Sequence, residues 1–161
     1  MVLGSDLMAK VSIFGTEKME AMLKDLQKKS EPIIKAGIYD GAKVMADAVK
    51  RQIDTIRTDG PSEYETRRRE IQKEGLKESM GITSMRNDGG FLNVKIGFDG
   101  YNELGQPNAM VARIFESGTS FSSKQTFVKR AVSGARRLTE ETMKATIDER
   151  IHAITEEGEY K

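Results

Sequence analysis

The chain has 161 residues, enough for one domain whose single core buries about 70% of the unfolded surface. Its 26 basic and 25 acidic residues leave a formal net charge of +1, so no whole-molecule field draws it to nucleic acid or an anionic membrane, and a charged partner has to be met by a local patch. Without cysteine there is no disulfide framework, thiolate catalysis or thiolate metal site, a reducing cytoplasm is the natural setting, and no run approaches the roughly 18 apolar residues of a membrane span.

Residues 1–8 neither alternate nor show a helical period and lack the order of a signal peptide. They read as a leader or disordered segment, with a second start at Met8, ahead of a single domain over 9–161 that ends in a polar tail. From Lys10 to Phe14, Val11 and Ile13 alternate with polar residues, a short strand signal that ends at Gly15. Thr16 then stands as an N-cap with Glu17 and Glu20 in the first turn, and Met19, Met22, Leu23 and Leu26 carry an amphipathic helix to about Lys29. Ser30 and Pro32 read as the start of a second helix, because a first turn loses nothing to proline, and Ile34, Ile38, Ala42, Met45, Val49, Ile53 and Ile56 keep one face of it. Gly37, Gly41, Ala42, Ala46 and Ala48 thin that face, for close packing on the chain's own sheet or against another subunit.

Asp59-Gly60-Pro61-Ser62 breaks the pattern, and the segment that follows, with Arg67, Arg68, Arg69, Lys73 and Lys77, is expected to be a polar, mobile excursion. Leu92, Val94, Ile96 and Phe98 alternate strictly with Phe91, Asn93, Lys95 and Gly97, which predicts a β-hairpin from about 82 to 98 turning at Asn87 to Gly90. Asn108 is placed to cap a short helix with Met110, Val111, Ile114 and Phe115 on one side, closed by Gly118 in the left-handed conformation. Thr119 to Gln125 reads as an exposed arm around Phe121, and the residues from Phe127 to Ile154 as a last helix. The order β, α, α, β, β, α, α gives an α+β fold: an antiparallel sheet including a central hairpin, packed against a long helix and a C-terminal helix.

No catalytic, cofactor-binding or metal site can be named. His152, the single histidine, lies on a charged terminal helix, and the acidic pairs Glu140-Glu141 and Asp148-Glu149 belong to a solvated face. Glycine spacing fits neither the dinucleotide nor the P-loop pattern. Arg67, Arg68, Arg69 and Lys73 could fork onto phosphates, but Glu63, Glu65, Glu70 and Glu74 interleave with them and Tyr64 is the nearest aromatic. A small nucleic-acid-binding or regulatory protein using that patch is the alternative reading.

The ordered set Gly75 to Ser79, Ile82 to Phe98, Glu116-Ser117-Gly118-Thr119, Ser120 to Gln125 and Phe127 to Ala131 resembles the neck or tail-completion proteins of long-tailed bacteriophages, also known as head-tail joining or minor tail proteins. The likeness spans roughly residues 9 to 155. It implies a non-enzymatic virion part, made in the host cytoplasm and assembled as a homo-oligomeric ring at the neck or head-proximal tail end. Its partners would be itself and other neck or tail proteins, with no cofactor, membrane or small-molecule substrate, and direct DNA contact is not expected. Phe115, Glu116, Gly118, Thr119, Phe121 and Phe127 are the candidate interface residues, Phe121 being the anchor on a neighbour. The family often has Pro-Phe before its last helix, where this chain has Thr126-Phe127.

Overall fold

The structure, a computed structural model, describes residues 16–159. The expected leader, the strand over Lys10 to Phe14, the capping side chain of Thr16 and the last two residues lie outside what it describes. The described residues form four helices and two short antiparallel sheets, an α+β fold.

The first helix, α1, runs unbroken over Thr16–Asp54, so the expected division at Ser30 and Pro32 is corrected. Ser30 does not cap a new helix, since its hydroxyl donates to the Gln27 carbonyl at 2.8 Å. Pro32 removes one N–H from the ladder, but it and Lys28, whose carbonyl loses that partner, are both exposed to water. What carries α1 past the proline is the fourth helix, α4 (Phe127–Glu159), which lies antiparallel along it.

The thinned face of α1 is where α4 comes close. A methyl group on Gly37 would stand 2.7 Å from Ile147 Cγ1, and one on Gly41 would collide with Met143. The close partner is therefore a helix of the same chain, and not the sheet or another subunit. Across this seam the Thr146 hydroxyl donates to Asp40 at 3.0 Å. That bond, with Lys43 beside it, holds the Asp40 carboxyl below the usual carboxylate range.

The second correction concerns the region read as a mobile excursion, which is the helix α2 (Glu63–Ser79). Ser62 caps it by accepting from Glu65 N–H at 3.2 Å, Glu63 and Glu65 occupy the first turn, and Lys77 the last. Only Gln72, Gly75 and Leu76 of α2 are buried, a stripe too narrow to announce itself as apolar periodicity. Lys73 closes the end of α1 by donating to the carbonyls of Asp54 at 2.8 Å and Ile56 at 3.0 Å. Lys77 pairs with Asp54 at 2.6 Å, which lowers the Asp54 carboxyl and raises the Lys77 ammonium relative to their ordinary values.

The expected hairpin is present in two pieces. At its tip β2 (Arg86–Asp88) pairs with β3 (Phe91–Asn93) across Gly89 and Gly90, both at positive φ, as a two-residue turn requires. At its base β1 (Met80–Ile82) pairs with β4 (Ile96–Phe98). Between Ile82↔Ile96 and Arg86↔Asn93 one strand has an additional residue, so the outgoing strand bulges while the returning one keeps its alternation. Met85 N–H, in the bulged stretch, donates to the Tyr39 hydroxyl of α1 at 2.8 Å.

A loop leads to α3 (Asn108–Ser117). Asn108 is the first helical residue and not the cap; its amide is buried and donates to the Asp99 carbonyl at 2.9 Å. Val111, Ala112 and Phe115 form the inner side of α3, and Met110 is exposed. The core gathers Ala46, Val49, Ile53 and Ile56 of α1 and its end, Leu76, Met80, Val111, Phe115, Phe127, Ala131 and Ala135. The rings of Phe98 and Phe127 meet in it at 6.1 Å and 60°.

Candidate interaction site

Of the six residues expected to face a partner, two are core. Phe115 and Phe127 are 2% and 0% exposed, which corrects their assignment as contacts: each faces the chain's own hydrophobic centre. Glu116 is held from within as well. Its two carboxylate oxygens accept from Val128 N–H at 2.8 Å and Lys129 N–H at 3.1 Å, covering unpaired donors of the first turn of α4 and setting negative charge at the positive end of that helix.

Gly118 closes α3 as anticipated in sign but not in kind. Its N–H returns to the Ile114 carbonyl at 2.8 Å, and its φ of 75° and ψ of 176° are extended with positive φ, a region that only glycine enters freely. A methyl group there would lie 2.7 Å from Lys124 N and 2.9 Å from Ser122 O. This glycine is required by the close return of its own loop.

That return also corrects the extended arm. Thr119 N–H donates to Ser122 O at 2.8 Å, making residues 119–122 a tight turn. Gln125 N–H then reaches the Phe115 carbonyl at 2.8 Å, and its side-chain amide brackets the backbone of Arg57, accepting at 2.7 Å and donating at 3.0 Å. The loop is thereby tied to the ends of both α3 and α1, and Phe121 stands at its tip 95% exposed. Thr126, at φ 37°, makes the turn into α4. Proline, fixed near −65°, cannot adopt that angle, so the absence of the Pro-Phe pair has a backbone reason.

The arginine triplet does not act as one patch. Arg67 pairs with Glu70 at 3.4 Å and Arg68 with Glu65 at 3.6 Å, while Arg69 turns the other way and donates to the Asp59 carbonyl. With Lys73 occupied at the end of α1, the phosphate patch that the alternative reading drew from Arg67, Arg68, Arg69 and Lys73 does not come together.

Another basic site does. Beneath the Phe121 loop lies a cleft of about 510 Å³ whose charged lining is Arg57, Arg69, Lys124 and Arg130 against the single acid Asp59. None of those four cations has a carboxylate within 4.0 Å among the described residues. Arg130 is oriented by Thr55, whose hydroxyl accepts from it at 3.0 Å. Three of the four come from outside the triplet, and the fold, not the sequence order, assembles them.

Among the described residues no group of three or more acidic or histidine side chains is placed to hold a metal ion, and no helix is long and apolar enough to cross a membrane. No protein-family model matches the chain, and neither the curated proteins nor the solved structures gave a match.

Proposed function

We propose that the chain is a structural subunit of a tailed-phage or prophage virion, acting at the neck or head-proximal tail end to complete the tail and join it to the head, as a ring of copies. The observation that carries this reading is Phe121: a large aromatic, 95% exposed, at the tip of a loop clamped through Glu116, Gly118 and Gln125. A rigid support for an exposed aromatic suits a contact anchor, because little entropy remains to be lost when it docks. The ordered segments that resemble the phage family supply the biological setting.

Native mass spectrometry over a micromolar concentration series tests the self-assembly. A discrete closed oligomer, weakened in Phe121→Ser, is the expected result; a monomer throughout overturns self-assembly. In a phage or prophage carrying the gene, a nonsense allele should yield filled heads and free tails, and normal infectious particles would overturn the neck role.

A further inference from the structure

The cationic cleft under Phe121 has a counterpart on another side of the molecule. A second cleft, of about 440 Å³, is lined by Glu70, Glu74, Glu78 and Glu103 with Arg67 as its one cation, and Tyr101 stands in it 73% exposed. Its floor is built: Gly75 lets the 99–107 loop come close, since a methyl group there would lie 2.7 Å from Asn102 Cβ. Gln72 fixes the loop by donating to Gln106 Oε1 at 2.7 Å, and Asn102 Oδ1 accepts from Leu104 N–H and Gln106 N–H, each at 3.0 Å.

We propose that the occupant of the cationic cleft is the anionic cleft of a second copy of this chain, so that Arg57, Arg69, Lys124 and Arg130 of one copy face Glu70, Glu74, Glu78 and Glu103 of the next. Four cations oppose four carboxylates, each set carries one residue of the opposite sign, and each has an exposed aromatic at hand, Phe121 on one side and Tyr101 on the other. A chain of net charge +1 has thus sorted its charges into two matching surfaces.

The geometry also fixes the symmetry. Arg69 and Glu74 are five residues apart on α2, roughly 140° around its axis, so the two clefts look away from each other. A two-fold dimer would have to join both pairs of surfaces at once, which clefts facing apart cannot do. The contact is head-to-tail, and repeated it closes into a ring or runs on as a filament. This inference rests on the ring reading and names the surfaces by which copies join.

The test is a charge exchange in the full-length protein. Arg57→Glu with Lys124→Glu reverses one cleft, and Glu74→Lys with Glu78→Lys reverses the other; all four positions are half-buried or exposed and none of their side chains anchors the loops described above. Each double variant alone should associate at least about tenfold more weakly than the parent, while an equimolar mixture of the two should assemble, because each then offers what the other lacks. Circular dichroism verifies folding, and Arg57→Gln with Glu74→Gln, expected to weaken assembly without reversal, serves if a reversed variant is unfolded. If the parent is oligomeric and the reversed variants assemble like it, or if the mixture stays dissociated, the pairing is overturned and the ring reading stands. A parent that remains monomeric at every concentration and low salt overturns both. If reversal of the cationic cleft abolishes binding of a fluorescent oligonucleotide but leaves assembly untouched, the cleft serves nucleic acid and this inference is wrong.

Discussion

Glu116, the last acidic residue of α3, supplies the N-terminal cap of α4 by accepting from Val128 N–H at 2.8 Å. Because the two N–H groups it accepts from stand 12 and 13 residues downstream, this cap ties two helices and the loop between them into one unit. Replacing Glu116 by Ala should cost about 1 to 2 kcal/mol, and by Gln about half as much, because the amide keeps one acceptor and loses the charge at the helix end. Urea denaturation monitored by circular dichroism checks this; an unchanged midpoint in Glu116→Ala would show that the two bonds contribute nothing.

Gly118→Val should destabilise the fold by about 2 kcal/mol, with an additional cost from the crowding against Lys124 N. The thermal midpoint reports it. Retention of the parent midpoint would contradict the positive φ at this position.

Thr126 separates two substitutions that sequence likeness alone would not. Thr126→Pro should lower stability by about 3 kcal/mol, since its φ of 37° is out of proline's reach, whereas Thr126→Gly should be neutral or stabilising by up to about 1 kcal/mol. A proline variant as stable as the parent would mean that the chain enters α4 by another path.

Asp40 gives a pH dependence. Its carboxyl is held below the ordinary value first by the Thr146 hydroxyl and then by Lys43, so its contribution to stability is present above the ordinary aspartate value of about 3.9 and is lost as pH falls through the lower folded value. Asp40→Asn should therefore melt below the parent at neutral pH, and the gap should close in acid. Because the group is near the surface the gap should be small and shrink with salt. A gap that is constant with pH would show that the carboxylate charge is not involved.

The α+β class, the hairpin and the close of α3 were legible because each is written in local chemistry: strict alternation from Leu92 to Phe98, two glycines at the turn, a glycine after Phe115. Helix α2 was not, because its core stripe is Gln72, Gly75 and Leu76 and its polar faces hide the period; Ser62 with Glu65 was the capping signal that could have located it. The division of α1 at Pro32 followed a rule for isolated helices that packing against α4 overrides. The cationic cleft was out of reach for a different reason: Arg57, Arg69, Lys124 and Arg130 are brought together by tertiary structure alone.

The antiparallel seam of α1 and α4 places the first turns of one helix and the last turns of the other at the same pole. At 33 residues α4 extends for about 50 Å, and the cationic cleft lies at its opposite end, where Arg130 lines it; Lys73 and Lys77 tie α2, which lines the anionic cleft, to Asp54 at that same end of the seam. If copies join through the two clefts as proposed, a fluorophore attached at that pole would therefore report on their spacing without touching either cleft.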